Sequence, residues 1–268
     1  NNTDAAQIIA DPRVHAITLT GSERAGKSVA SNAGNNLKKC VMELGGSDPF
    51  VVLDDADLAK AIPIAIASRF GNGGQTCIAA KRFILTPGIA AEFVSRFVEA
   101  ASKLLVGDPN LDETNLAPMV RPDAREELHR QVLASVAAGA KLIIGGQKGP
   151  GVCDYPATIL DHVVPGVPAY SEELFGPVAS IIYAKDDADA IRIANDTAFG
   201  LAASIWTEDK VKGEALARKI QAGAVFVNAL VRSDVRLPFG GTKTSGFGRE
   251  LAEHGIHEFM NIKTIYVD

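Results

Sequence analysis

The feature that most constrains this chain is a regular alternation of Val- and Ile-rich runs with helical patterns. Runs at 14–20 (VHAITLT), 38–44 (KKCVMEL), 49–53 (PFVVL) and 81–86 (KRFILT) read as strands. So do 178–184 (VASIIYA), 201–207 (LAASIWT) and 224–228 (AVFVN), while 140–146 (AKLIIGG) reads as strand into turn. Between them, 22–34, 57–70, 90–104, 123–138, 187–196 and 208–221 carry helical spacing, with a kink expected at Pro63. Strands separated by helices predict an α/β fold with a largely parallel sheet. Residues 147–156 (QKGPGVCDYP) are the plainest irregular stretch, and neither internal repeats nor low-complexity segments occur.

Composition narrows the function classes. A chain of 268 residues with 47% hydrophobic content buries a large core in one domain or two. The net charge of −5 and the lack of a basic patch interleaved with aromatics argue against a nucleic-acid partner. No apolar run reaches the ~18 residues of a membrane helix. The first residues, NNTDAAQIIADPRV, do not read as a signal peptide. Cys40, Cys77 and Cys153 are an odd, widely spaced set, which suits a reducing, cytoplasmic setting and offers no zinc pair. No metal site is expected.

Residues 21–28 (GSERAGKS) match the phosphate-loop pattern G-x-x-x-x-G-K-[ST] between a strand and a helix, and FVVLDD at 50–55 resembles an apolar strand ending in a magnesium-holding acid. A phosphate-loop NTPase is therefore one reading. Against it, Ser22 is a good helix N-cap and Glu23 suits a first turn. The helix would then start at Ser22, leaving no wide glycine cradle and placing Lys27 and Ser28 inside it. A second reading makes Gly21 and Ser22 a pyrophosphate site at a helix N-terminus. A third is an ordinary capped helix.

The stretch 70–83 (FGNGGQTCIAAKRF) sets a lone thiol, Cys77, on a glycine-loosened turn between a helix and a strand. Such a turn can present sulfur and backbone N–H together to a substrate. The alternative is a small buried core cysteine, which is the preferred reading for Cys40. Cys153 lies in a polar loop. The five histidines join no Ser-His-Asp or metal constellation.

Five stretches occur in order: TGS (20–22), MELGGSDPFVV (42–52), GNGGQTC (71–77), SEELFGPV (171–178) and PFGGTKTSGFGRE (238–250). Together they resemble the aldehyde dehydrogenase superfamily over essentially the whole chain. LKKCVMELGGSDPFVVL, AAKRFIL and FGGTKTSGFGRELAEHGIHEF look most like its bacterial succinate-semialdehyde dehydrogenases. The resemblance implies oxidation of an aldehyde, succinate semialdehyde above all, to its acid with NAD or NADP through a cysteine thioester. It casts Cys77 as the nucleophile and Glu43 as the general base. Gly21 and Ser22 become pyrophosphate contacts, Glu173 and Phe175 hold the nicotinamide ribose and pack near its ring, and Glu250 is a supporting acid. Many succinate-semialdehyde enzymes carry an arginine six residues before the cysteine, where Gly71 stands here. Arg232, Ser233 and Arg236 are the alternative partners for a substrate carboxylate.

The resemblance also implies a C-terminal portion of a longer enzyme. Its early cofactor-domain strands, an adenosine-ribose lysine, an oxyanion asparagine and a subunit-joining hairpin have no counterpart here. Residues 1–44 would end a Rossmann-like cofactor domain, 45–233 would form the catalytic domain, and 234–268 a tail whose TIYV is an oligomerisation edge strand. The complete enzyme would be a homodimer or homotetramer. Besides the NTPase, a non-catalytic fragment keeping the fold as a structural unit is the alternative.

Overall fold

The computed structural model describes residues 2–268. In chain order the elements are α1 (Asn2–Ala10), β1 (Ala16–Thr20), α2 (Glu23–Asn35), β2 (Lys39–Glu43), β3 (Asp48–Val52), α3 (Leu58–Phe70), a 3₁₀ turn (Gly71–Gly74), β4 (Ala80–Leu85), α4 (Pro87–Ala101) and α5 (Pro122–Ala137). There follow β5 (Lys141–Ile144), β6 (Thr158–Asp161), α6 (Pro168–Ser171), β7 (Val178–Tyr183), α7 (Asp187–Asn195), β8 (Ala202–Trp206), α8 (Lys210–Ala217), β9 (Ala224–Val227), β10 (Gly246–Phe247) and α9 (Ala252–His257). They divide into two compact units, one of residues 1–45 with 232–268 and one of residues 46–231.

The larger unit is a seven-stranded sheet in the order β5-β6-β7-β4-β3-β8-β9. Every neighbouring pair is parallel except β5 with β6. Successive side chains of a strand point to opposite faces, and two cores result. Val51, Ile84, Leu160, Ile182 and Ile205 belong to one. Phe50, Phe83, Phe93, Phe97 and Trp206 belong to the other, with the Phe83 and Phe97 rings 4.7 Å apart and Phe50 stacked on Trp206 at 5.2 Å. Covering both faces explains why β3 and β4 are buried at every position.

Helix termini follow local chemistry. The Asp57 side chain accepts from the N–H groups of Ala59 and Lys60 and starts α3. Pro63 does not end this helix, which continues to Phe70 with the ring on the exposed side. Thr86 precedes Pro87 at the first helical position, so α4 begins three residues earlier than its apolar spacing suggests. Asp54 and Asp55, the acids of the magnesium-like strand, are both structural. Asp54 accepts from Thr86 Oγ1 (2.5 Å) and the Gly88 N–H (2.7 Å), and Asp55 accepts from Thr207 Oγ1 (2.7 Å).

The smaller unit has a three-stranded sheet in the order β1-β2-β10, with β1 parallel and β10 antiparallel to β2. Here the phosphate-loop reading fails. Ser22 is the N-cap of α2 and its side chain accepts from the Ala25 N–H. Gly26 lies within the helix because a Cβ there would sit 2.5 Å from both Leu44 methyl carbons. Lys27 is an exposed helical residue paired with Glu23 four positions earlier. The second glycine of the pattern therefore serves helix-on-strand packing, and no cradle forms.

Residues 264–267, expected as an edge strand, form no strand among the described residues, and Ile265, Tyr266 and Val267 are exposed. A strand exists only when another backbone pairs with it, and this segment has no such partner. No helix among the described residues is long and apolar enough to cross a membrane.

Candidate active site

In the larger unit three of the sequence motifs converge at the amino ends of β3, β4 and β7. The Gly46 N–H donates to Glu173 Oε1 at 3.0 Å. A Cβ on Gly46 would lie 2.7 Å from the Cys77 carbonyl oxygen and 3.2 Å from Leu201 Cβ, so this position admits only glycine without rearrangement. The turn before Cys77 winds through Asn72, Gly73 and Gly74 at φ of 53°, 62° and 69°. That left-handed run suits glycine and tolerates asparagine. Its tightness comes from contact, since a side chain on Gly74 would collide with the Gly176 backbone and with Arg69.

Three buried cations that the sequence reading did not single out organise these loops. Arg69, at the end of α3, donates through Nη1 to the Ala80 carbonyl (3.1 Å) and through Nη2 to those of Gly74 (2.6 Å) and Gly176 (2.8 Å). It thereby ties the Cys77 turn to the loop bearing Glu173 and Phe175. Lys81 donates to the carbonyls of Thr76 (3.1 Å), Cys77 (2.9 Å) and Ala79 (3.1 Å), and lies 3.7 Å from Glu173 Oε1. Arg82 donates to the carbonyls of Ser47 (2.9 Å), Ile193 (2.9 Å) and Ala194 (3.0 Å). The signal was present in AAKRFIL, where two cations interrupt an otherwise apolar central strand. A buried charge must be paired or hydrogen-bonded, and here backbone carbonyls of the site loops meet that need.

The Cys77 thiol is half-buried. Burial pushes its pKa up, as do the carboxylates of Asp48 and Glu173, while Lys81 and an N–H from Ile78 pull it down. Asp48 is buried, with Oδ1 accepting from the Ala202 N–H (3.1 Å) and Oδ2 without a partner. Glu173 is 21% exposed in its side chain, and Phe175 is 42% exposed. Cys40 and Cys153 are free and partly buried.

The smaller unit holds the remaining candidates. Glu43 ends β2 with 3% exposure, and neither carboxylate oxygen has a hydrogen-bond partner. Its pKa is pushed up to about 8, by burial first and by the charge of Glu250 second, against the pull of Arg249. The segment 238–250 wraps this strand end. Gly240 approaches so closely that a Cβ would sit 2.8 Å from Glu43 Oε1, and Phe239 and Glu250 form an antiparallel bridge. Ser245 Oγ donates to the Gly45 carbonyl at 2.7 Å. Glu250 Oε1 accepts from Thr18 Oγ1 at 3.3 Å.

At the end of β1, beside that of β2, the Gly21 N–H donates to the Glu43 carbonyl (3.0 Å), so it is committed to the sheet. Ser22 lines a cleft of about 410 Å³ with Ile9, Arg24 and Asn32. Arg236 is bound in two-pronged fashion by Asp234 (2.9 and 2.6 Å), whereas Arg232 and Ser233 are exposed. Of the three proposed carboxylate partners, Arg236 is thus already neutralised.

The sequence profile described as the aldehyde dehydrogenase family matches residues 1–265. The chain belongs to the aldehyde dehydrogenase family. Among its relatives, the succinate semialdehyde dehydrogenase [NAD(P)+] Sad of Escherichia coli K12 is 51% identical across 100% of this chain and 58% of its own length. A probable succinate-semialdehyde dehydrogenase [NADP(+)] of Synechocystis is 49% identical across 98% of this chain and 58% of its own. The crystal structure of succinic semialdehyde dehydrogenase from Streptococcus pyogenes in complex with NADP+ superposes with a TM-score of 0.97 at 38% identity, covering 100% of this chain and 59% of that one. A salicylaldehyde dehydrogenase from Pseudomonas putida G7, complexed with salicylaldehyde, gives 0.94 at 38% identity, with 98% and 54% covered. This aldehyde dehydrogenase chain therefore spans a little under three fifths of the length of these relatives, and family members of one fold act on different aldehydes.

Proposed function

We propose that this chain carries the thiol chemistry of an NAD(P)-dependent aldehyde dehydrogenase acting on succinate semialdehyde. An aldehyde carbon is too electron-poor to release hydride directly. Addition of the Cys77 sulfur gives a tetrahedral hemithioacetal whose oxyanion drives hydride out and leaves a thioester. NAD or NADP, when bound, supplies the hydride acceptor. Water then cleaves the thioester to the acid and returns the thiol. The net change is aldehyde, oxidised cofactor and water to acid, reduced cofactor and a proton.

The observation that carries this reading is the convergence of the LGGS, GGQTC and ELFG motifs on Cys77 through Gly46, Arg69 and Lys81. Glu43 is assigned the activation of water. A carboxyl raised to about 8 by burial is, in its ionised form, a stronger base toward water than an exposed glutamate. Glu173 fits a ribose diol. One oxygen is fixed by Gly46, the other has no hydrogen-bond partner among the described residues, and the exposed ring of Phe175 stands two residues on. Ser22 at the start of α2 fits an anionic group better than Gly21, whose N–H is used. The succinate assignment rests on the relatives' names, and Arg232 and Ser233 are the retained candidates for its carboxylate.

The test is reduction of NAD and NADP at 340 nm with succinate semialdehyde, using the whole polypeptide encoded by the gene. Cys77→Ala should abolish turnover while cofactor affinity persists. Substantial oxidation by that variant would refute the assignment.

A further inference from the structure

We propose that Lys81 is a positioning residue for the Cys77 thiolate: its buried ammonium fixes the turn bearing the sulfur and supplies the positive charge against which the thiol ionises, in competition with Glu173. The inference rests on the reading of Cys77 as nucleophile and adds a residue to it.

Lys81 lies in the central strand β4 with only 1% of its side chain exposed. A buried ammonium in a strand interior is costly unless it is paired or hydrogen-bonded, so it calls for its own explanation. Its hydrogen bonds all go to one short turn, to the carbonyls of residues 76, 77 and 79. A three-donor ammonium meeting three carbonyls of a four-residue segment fixes the path of that segment. A carbonyl-rich turn would otherwise present a negative field to the sulfur it carries.

The charged groups around the thiol make the second part of the argument. Asp48 and Glu173 both oppose ionisation of Cys77, as burial does. Arg69 stands near Lys81 and is likewise hydrogen-bonded to carbonyls, those of Ala80, Gly74 and Gly176. Among the described residues, Lys81 is the cation whose charge favours the thiolate most. It is shared, since Glu173 Oε1 lies 3.7 Å from its nitrogen. Burial pulls the pKa of Lys81 down to about 8 while Glu173 holds it up, so its charge acts on the thiol at pH 6–7 and fades above about 8. At pH 6–7 removing the ammonium should therefore make Cys77 harder to ionise, and removing the Glu173 charge should make it easier. A purely mechanical clamp has no reason to give opposite signs.

The experiment is alkylation of Cys77 by iodoacetamide from pH 6 to 10, resolved by peptide mass spectrometry so that Cys40 and Cys153 are read separately. Wild type, Lys81→Met and Glu173→Gln are compared, with thermal melts as the folding control. At pH 6–7, where Lys81 is charged, Lys81→Met should slow alkylation of Cys77 about tenfold, since an adjacent opposite charge typically contributes about one pKa unit or more. Glu173→Gln should raise the rate at pH 6–7. A folded Lys81→Met alkylated there as fast as wild type or faster overturns the proposal, and so does a Glu173→Gln rate that is unchanged or lowered. The second arm decides if Lys81→Met does not fold. Alkylation reads ionisation without turnover, so failure here is distinct from an active Cys77→Ala, which would instead remove the nucleophile assignment.

Discussion

Replacing Glu43 by glutamine should change the pH dependence of stability more than any other single substitution in the smaller unit. The carboxyl is 3% exposed, unpartnered at both oxygens, and shifted from an ordinary 4.5 to about 8 by burial and by Glu250, with Arg249 opposing. Below about pH 4.5 the group is protonated in both the folded and the unfolded chain. Between 4.5 and about 8 the folded state holds a proton that the unfolded state has released, so stability falls as pH rises and levels off above the folded value. At about 1.4 kcal/mol per unit, the gap corresponds to at most about 5 kcal/mol, of which about 3 kcal/mol is lost by pH 7. Relaxation that admits water lowers both figures. Glutamine keeps the size and removes the titration. Near pH 5 the two proteins should be about equally stable, and at pH 9 the variant should exceed wild type by several kcal/mol. The only tryptophan, Trp206, lies in the larger unit and does not report this event. Hydrogen exchange of the peptide spanning β2, measured from pH 5 to 9 and corrected for intrinsic rates, does. A difference between the two proteins that stays constant across this range would refute the burial argument.

Other substitutions test particular contacts. Gly46→Ala should destabilise the larger unit by about 1–3 kcal/mol, because the new Cβ meets the Cys77 carbonyl at 2.7 Å, and backbone yields poorly. Urea unfolding followed by Trp206 fluorescence measures it, and an unchanged midpoint would show that the loop relaxes. Lys27→Ala should leave cofactor affinity unchanged in calorimetry, since Lys27 is an exposed helical residue paired with Glu23. A large loss of ATP binding by that variant would restore the phosphate-loop reading. Cys40→Ala should cost about 1 kcal/mol of packing and no activity, whereas loss of activity would show that the wrong thiol has been assigned.

Much of the fold was legible because β3, β4, β7 and β8 each carry a short run of Val, Ile, Phe or Trp and are separated by well-signalled helices. Strand β6 was not legible. Its four residues follow the irregular stretch 147–156 directly, too short a run to show a period. Helix α1, in NTDAAQIIA, lacks a strong cap signal and was read only as the absence of a leader. Site residues were legible where glycine motifs bracket them. Gly46, Gly73 and Gly74 answer to contacts that no side chain can share. The cations Arg69 and Arg82 were not, because carbonyls they bind, at Gly176, Ile193 and Ala194, lie more than a hundred residues away. The partners of Lys81 are local, but a linear reading does not show that its side chain folds back onto residues 76–79. Residues 21–28 show the converse hazard, since a complete motif match arose from a cap, a packing glycine and a surface ion pair. In 264–267, β-propensity alone could not supply the partner strand it needs.

The central claim is that Cys77 becomes acylated. The most direct measurement is acid quenching of Glu43→Gln protein, as the whole gene product, within the first turnovers with succinate semialdehyde and NAD or NADP, followed by peptide mass spectrometry. Slowed hydrolysis should let the thioester accumulate, so a succinyl increment on the peptide containing Cys77, together with a burst of reduced cofactor, is the predicted result. Reduced cofactor forming with Cys77 unmodified, or with the succinyl group on Cys40 or Cys153, would contradict the account.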